Sequence, residues 1–172
     1  MGLVVGLIVA LVAGLAVYFF FIRQADRQPP TVAQVTAAFV PLEGFEYVEM
    51  PTESLEPLRQ AFAAQGEEEA VAHFDARQVQ VGGKPTAVVF ILSVDPDEMK
   101  GDFQEQYITG FTSTSQATVE DFAVNDTSGH ISVTPLGTVA FFFDPDGFAF
   151  NVVGQERATV EVIARGLEEG NS

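Results

Sequence analysis

The chain begins with a long, uninterrupted apolar segment. From Gly2 to Ile22 no side chain is charged or strongly polar. At about 1.5 Å per residue, a helix of this length spans about 31 Å, which matches the hydrocarbon core of a bilayer. The stretch from Leu3 to Ile22 is therefore predicted to be a transmembrane helix, and residues 1–23 are assigned to the membrane.

A cleavable signal peptide is a poorer interpretation of this segment. Such a peptide has a shorter apolar region and a small-residue cleavage site before the polar sequence. Here an aromatic cluster runs directly into arginine. Aromatic rings and guanidinium groups both suit the headgroup region, where they contact lipid. The predicted membrane-interface residues are Tyr18, Phe19, Phe20, Phe21, Arg23 and Arg27.

Small residues recur at every fourth position of the predicted helix. They are Gly2, Gly6, Ala10 and Gly14. This spacing places them on one ridge, where a second helix can approach closely. The ridge predicts self-association or packing against another membrane subunit. The alternative is that Gly and Ala are simply frequent in membrane helices.

The flanking charges leave the direction of the helix open. Arg23 and Arg27 follow it, and only the α-amine precedes it, so the positive-inside rule favours a cytoplasmic domain by one charge. Long domains are translocated regardless of so small a bias, however. Both orientations therefore stay open on charge alone.

The rest of the chain has the size and composition of one acidic globular domain. Residues 24–30, which end in Pro29 and Pro30, are predicted to be a short stiff linker, and residues 31–172 the domain. The chain is 47% hydrophobic with 16 Phe, which is ample for a packed core. Its 24 acidic residues against 8 basic ones give a net charge of −16, which repels phosphate backbones. Nucleic acid is therefore not expected as a partner.

Hydrophobic periodicity predicts an α+β fold, in which a mainly antiparallel sheet packs against helices. The apolar run Val88 to Leu92 lacks alternation, which predicts a central strand covered on both faces. The predicted order is a helix from Thr31, a strand Phe45–Met50, a helix Glu53–Gln65, a hairpin of Val71–Val81 and Ala87–Val94, a helix Asp95–Gly110, strands Thr118–Val124, His130–Thr134, Thr138–Phe143 and Phe148–Val153, and a closing helix Glu156–Leu167 that frays at Gly166 and Gly170.

Two acidic motifs and two histidines are the candidates for metal chemistry. Asp95-Pro96-Asp97 and Asp144-Pro145-Asp146-Gly147 look like paired acidic sites, and the second contains the start of a calcium-loop pattern. The further oxygen ligands of such a loop are missing, so turn and helix-cap roles are favoured. His73 and His130 could form a site only if the fold brought them together, and no ligand spacing supports it.

No motif for a nucleophile, a phosphate cradle or a dinucleotide is present in the sequence, and there is no cysteine. We therefore expect no catalytic residues, no cofactor and no metal. The sequence favours a non-enzymatic protein.

The last third of the chain resembles a known pattern. The segments "TVEDFAV", "HISVTPLGTVAFFFDPDGFAFNVVG" and "ERATVEVIARGL" resemble bacterial membrane-tethered extracytoplasmic α+β domains of unknown function. The sheet-plus-helix layout is also similar to the PsbP-like and LolA-like groups. The resemblance implies a fold and favours the extracytoplasmic side of the cell membrane, and it transfers no site residues.

Three functional hypotheses follow from the sequence. The first is an envelope protein whose acidic domain binds or braces a partner, as an accessory subunit of a membrane complex. The second is a binding module for a small apolar ligand or lipid, lined by the abundant Phe. The third is a membrane-tethered adaptor domain in the cytoplasm.

Bulky side chains on the small-residue ridge are expected to weaken helix packing. The double variant Gly6→Ile, Gly14→Ile should lose its slower-migrating complex on blue-native gels, because close helix approach requires small side chains. The control Val4→Ile, Val12→Ile enlarges the opposite helix face and should keep the complex. Equal behaviour of the two variants would contradict a packing role for the ridge.

Overall fold

A computed structural model describes residues 28–51, 53–56, 71–99, 102–112, 118–124, 127–134 and 137–171. None of the helices within these ranges has the length and apolar character that a bilayer span requires. Outside the described residues lie the predicted transmembrane helix Leu3 to Ile22, its packing residues Gly2, Gly6, Ala10 and Gly14, the interface residues Tyr18, Phe19, Phe20, Phe21, Arg23 and Arg27, and most of the predicted helix Glu53–Gln65.

The described residues form an α+β domain around one seven-stranded antiparallel sheet, which confirms the predicted fold class. The strand order is β1-β2-β3-β7-β6-β5-β4. The strands are β1 (Glu46–Glu49), β2 (Val71–Val81), β3 (Lys84–Val94), β4 (Thr118–Val124), β5 (Thr127–Thr134), β6 (Gly137–Asp144) and β7 (Phe148–Gly154). The helices are α1 (Val32–Ala37), α2 (Pro96–Met99), α3 (Asp102–Thr112) and α4 (Arg157–Asn171), and a further helical stretch covers 53–56.

One face of the sheet is covered by α4 and α1, and we call it the α4 face. The rings of Phe142 and Phe150 stack there with centroids 4.6 Å apart. Burial of each large apolar side chain stabilises the fold by about 1.5–3 kcal/mol, so this layer carries much of the stability. The helix side chains in the layer are Val35, Val160, Ile163, Ala164 and Leu167.

The opposite face is covered by α2 and α3, and we call it the α3 face. Met99 and Phe103 pack there against Leu92, Phe141 and Phe143. Tyr107 lies one turn beyond Phe103 and makes an edge contact with Phe143, 5.8 Å between ring centroids. Met99, Phe103 and Tyr107 therefore form an apolar stripe, at steps of four residues, that packs on the sheet.

The predicted helix from Asp95 to Gly110 is helical in both of its described parts, α2 and α3, and residues 100–101 between them lie outside the described residues. Asp95 caps the first, since its carboxylate accepts a hydrogen bond of 2.8 Å from the backbone N–H of Asp97. Its carbonyl also accepts from the N–H of Met99. The helix therefore begins where the sequence predicts it.

The predicted fraying of the closing helix is also wrong, because α4 continues to Asn171. Its two late glycines lie against the segment that follows α1. A Cβ at Gly170 would be 2.5 Å from Val40 Cγ2, and one at Gly166 would be 2.6 Å from Leu42 Cδ2. These glycines therefore allow close packing of the helix, which overrides their weak helix propensity.

Strand β3 is covered on both faces along only half its length, which corrects the prediction for Val88 to Leu92. Ile91 to Val94 is fully buried, whereas Val88 and Phe90 are half-buried on the α3 face. The central strand is β7. Val88 and Phe90 are only half-buried because α2 and α3 pack against the other half of the strand.

The chain enters the domain at one end of β3, which we call the entry pole. Pro30 is buried there, and its carbonyl accepts a hydrogen bond of 2.5 Å from the Ser93 hydroxyl. The turn between β6 and β7 lies beside it, since the N–H of Val94 donates to the carbonyl of Gly147 at 2.8 Å. Predicted turn roles for the Asp144 to Gly147 segment are thereby confirmed.

A side chain at Gly147 is expected to disrupt the entry pole. Gly147 has φ +102, and a Cβ there would lie 2.6 Å from the Val94 carbonyl oxygen and 2.9 Å from Pro30. Gly83 also has positive φ, +76, but nothing lies within 4 Å of its Cβ position. Gly83→Ala should cost about 1–2 kcal/mol, and Gly147→Ala about 3 kcal/mol or more.

Thermal unfolding of the full chain in mild detergent, followed by circular dichroism, checks this difference. A cost of 1 kcal/mol lowers the midpoint by about 2–4 °C in a chain of this size. Equal midpoints for the two variants would contradict the packing described at Gly147.

Candidate functional site

A groove of about 470 Å³ lies where β7 leaves the sheet. Strand pairing between β3 and β7 stops at Ala87 and Gly154, while β3 extends back to Lys84. After Gly154 the chain turns through Gln155 and Glu156 into α4. The lining combines apolar and polar side chains, which are Gln78, Pro85, Thr86, Ala87, Val88, Val153, Gly154, Gln155, Glu156 and Thr159.

The groove and the entry pole lie at opposite ends of the sheet. Ala87 borders the groove, and Ser93 contacts Pro30 at the entry pole. Six residues separate them on one strand, which corresponds to about 20 Å. The groove is therefore held at a distance from the point where the preceding chain enters the domain.

A row of valines continues from the groove across the α3 face. Cross-strand pairing aligns Val48 with Gln78, Gln78 with Val88, and Val88 with Val153. Val153 in turn pairs with Val139. Val48 is 40% exposed and the other three valines are half-buried. We call Val48, Val88, Val153 and Val139 the valine row. It adds an apolar strip to the groove, interrupted on β2 by Gln78.

Gly154 determines the shape of the groove floor. A Cβ at this position would lie 2.9 Å from Val160 Cγ2 and 3.1 Å from the Thr86 carbonyl oxygen. The absence of a side chain therefore lets α4 fold back closely over the end of β3. Thr86 is fixed in the same region, because its hydroxyl donates to the Val79 carbonyl at 3.1 Å.

The two histidines are not brought together. His73 is on β2 and His130 is on β5, and three strands lie between these in the sheet. At about 4.8 Å per strand, roughly 19 Å separates the two strands. His130 Nδ1 instead lies 3.5 Å from the fully exposed carboxylate of Asp121. Among the described residues, no three His, Asp or Glu side chains converge in a way that would hold a metal ion.

Tyr107 and Asn151 form a buried polar pair on the α3 face. The Tyr107 hydroxyl donates to Asn151 Oδ1 at 2.7 Å, and Asn151 is 4% exposed. Such a pair satisfies the polar groups that burial would otherwise leave unmatched. Its role is therefore to position α3 on the sheet.

A second polar cluster lies on the α4 face, where β1 and β2 meet α1. The Arg77 guanidinium lies over the Phe39 ring, 4.2 Å from its centroid, and the ring of Tyr47 contacts the same ring edge-on. Burial raises the pKa of Tyr47 to about 12, and Arg77 opposes this shift. The hydroxyl therefore stays protonated and is not a catalytic base at neutral pH.

Carboxylates gather at the entry pole around the turn from β6 to β7. Asp144 Oδ1 accepts a hydrogen bond of 2.7 Å from the N–H of Asp146. Burial raises the pKa of Asp144 above its usual value, the negative charges of Asp146 and Glu168 raise it further, and the hydrogen bond from Asp146 opposes them. The Asp144 carboxylate is thus partly buried and lies close to other negative charges.

None of these polar clusters has the arrangement of a nucleophile, a base and an oxyanion site that group-transfer chemistry requires. The groove with its valine row offers apolar contact and hydrogen bonding together, which is the arrangement of a binding surface. Comparisons with protein-family models, with curated proteins and with solved structures found no match for this chain.

Sequence reasoning missed the groove, the valine row and the Tyr47–Arg77 cluster. All three depend on which residues become neighbours across strands, and the strand order with β7 between β3 and β6 is not visible in local periodicity. One signal was present, since Asn151 is the sole polar residue in the predicted strand Phe148–Val153. A polar residue in such a run indicates a buried hydrogen bond.

The raised pKa of Asp144 predicts a pH-dependent stability difference. A folded state that holds this proton more tightly than the unfolded chain loses stability as Asp144 ionises. The contribution of Asp144 to the free energy of unfolding should therefore grow as the pH falls through its raised pKa. Asp144→Asn should unfold at a higher temperature than the parent chain at about pH 7, and the gap should close towards about pH 4.

Thermal unfolding at both pH values measures this effect. Asp97→Asn removes the same charge from an exposed side chain and controls for the change in net charge. A constant gap between Asp144→Asn and the parent chain across this pH range would contradict the predicted titration.

Proposed function

We propose that this chain is a non-enzymatic single-pass membrane protein whose acidic extracytoplasmic domain binds or braces a partner protein. In this role it would be an accessory subunit of a membrane complex. The observation that carries the proposal is the excess of carboxylates over basic side chains. Three of the four basic side chains that the structure describes, those of Arg77, Arg157 and Arg165, already contact residues of their own chain.

Most of the described basic side chains contact other residues of the same domain. Arg157 donates to Glu120 at 2.9 Å and to Glu161 at 2.7 Å. Arg165 lies over the Phe122 ring, 4.9 Å from its centroid. With 24 acidic residues against 8 basic ones, most carboxylates have no basic side chain to pair with in this chain. Such a surface attracts a basic partner and speeds its association.

The position of the entry pole supports a domain held close to a membrane. The predicted transmembrane helix ends at Ile22, and Pro30 is already docked on the sheet. The seven residues 24–30 reach at most about 25 Å when fully extended. A partner in the same membrane therefore lies within reach of the domain, as bracing a complex requires.

The described core argues against the alternative of a carrier for an apolar ligand. That function needs a cavity between sheet and helices lined by Phe. The described rings that would line it are packed against one another or against aliphatic side chains instead. They are Phe39, Phe103, Phe122, Phe141, Phe142, Phe143 and Phe150, all of them buried.

Affinity purification of the tagged full chain from mild-detergent extracts of its own membranes tests the proposal. We expect discrete copurifying proteins that are released at high ionic strength, because salt screens attraction between exposed charges. The matched control is residues 1–30 fused to an unrelated neutral domain. This control keeps partners that bind the helix and should lose those that bind the acidic domain.

Protease added to intact cells, or to spheroplasts if an outer membrane is present, distinguishes the two orientations. Removal of the domain is expected for the extracytoplasmic orientation, and protection would indicate the cytoplasmic adaptor. A strictly monomeric protein that copurifies with nothing would overturn the accessory-subunit function.

A further inference from the structure

We propose that the groove and the valine row form the docking site for an extended segment of the partner protein, apolar along one side and carrying Lys or Arg at its flanks. The inference rests on the proposed partner-binding function and names the surface and the chemistry that perform it.

Within the described ranges, the apolar part of the site lies on the half of the α3 face that α2 and α3 do not cover, except for Val139, which packs against the cluster beneath them. The apolar cluster beneath those helices includes Leu92, Val94 and Ala149, near the entry pole. Val48, Val88 and Val153 are not members of that cluster. A partly exposed apolar strip with a polar rim is typical of an interaction surface.

The groove fits an extended segment because it borders a strand edge. Ala87 and Gly154 are the last residues paired between β3 and β7. The stretch Lys84–Thr86 continues past that point, so its edge towards the groove has no strand partner within the described ranges. Pro85, at the centre of this stretch, has no N–H, so the edge offers carbonyl acceptors to the N–H groups of an extended peptide. Alternate side chains of such a peptide can contact the adjoining face. The valine row would receive those side chains.

The charge around the site favours basic flanks on the partner. Glu156 lines the groove, and Glu46 is on the same face of β1 as Val48, two residues away. Lys84 lies at the turn of the β2–β3 hairpin, next in the chain to Pro85 of the groove. The net charge of −16 adds a long-range field that attracts cations and repels anionic segments.

Titration with synthetic peptides tests the site in the full chain, reconstituted in nanodiscs of zwitterionic lipid. Three peptides of about ten residues alternate Val with Lys, Val with Ser, or Val with Glu. We expect the Val–Lys peptide to bind most tightly and the Val–Glu peptide not to bind. Isothermal titration calorimetry measures the dissociation constants.

Two pairs of variants distinguish peptide binding at the groove from nonspecific attraction to the acidic domain. Thr159→Tyr places a ring at the groove, while Val162→Tyr adds the same ring on an exposed position of α4 outside it. Glu156→Lys reverses a charge in the groove, while Glu169→Lys makes the same change near the far end of α4. Thr159→Tyr and Glu156→Lys should each weaken binding of the Val–Lys peptide about tenfold, and their controls less than about twofold.

Each outcome decides between the two proposals. Equal weakening by a variant and its control would overturn the groove as the site and leave the partner-binding function standing. Tighter binding of the Val–Ser or Val–Glu peptide would overturn the proposal that the partner segment carries basic residues at its flanks. Loss of all peptide binding, with protein partners still copurified, would place their binding on another surface. Loss of both would overturn the proposed function as well.

Discussion

The described fold depends on one strand that is buried on both of its faces. In β7, Phe150 and Val152 pack towards α4 and α1, while Ala149 and Asn151 pack towards α3. Because β7 lies between β3 and β6, it joins the N-terminal and C-terminal parts of the sheet. The two cores on opposite faces therefore share this strand, and neither can form without it.

The burial of β7 also determines where the exposed features lie. The strand passes directly into α4 after Gly154, so the helix folds back over the α4 face from that end. The residues of β3 next to this crossing have no strand partner on that side within the part of the chain that the structure describes. A tightly packed centre and an open groove therefore result from the same short connection.

Local sequence patterns predicted the elements well and their arrangement poorly. Alternation and turn residues identified the strand Thr118–Val124 and the turn at Asp144 to Gly147, because both depend on neighbours along the chain. The prediction from helix propensity placed the end of α4 too early. The glycines that signal fraying in isolation are required there by the side chains of Val40 and Leu42, which come from more than a hundred residues earlier. No local pattern contains that information.

The opposite placement of entry pole and groove has a mechanical consequence. Hydrogen bonds between antiparallel strands run perpendicular to the strands. A load applied between the groove and Pro30 therefore runs along the length of β3, and the hydrogen bonds that join β3 to its two neighbouring strands resist it together. Sheared ladders yield only when several hydrogen bonds break together. A partner docked at the groove, as proposed, would therefore be linked to the entry pole along the stiff direction of the sheet.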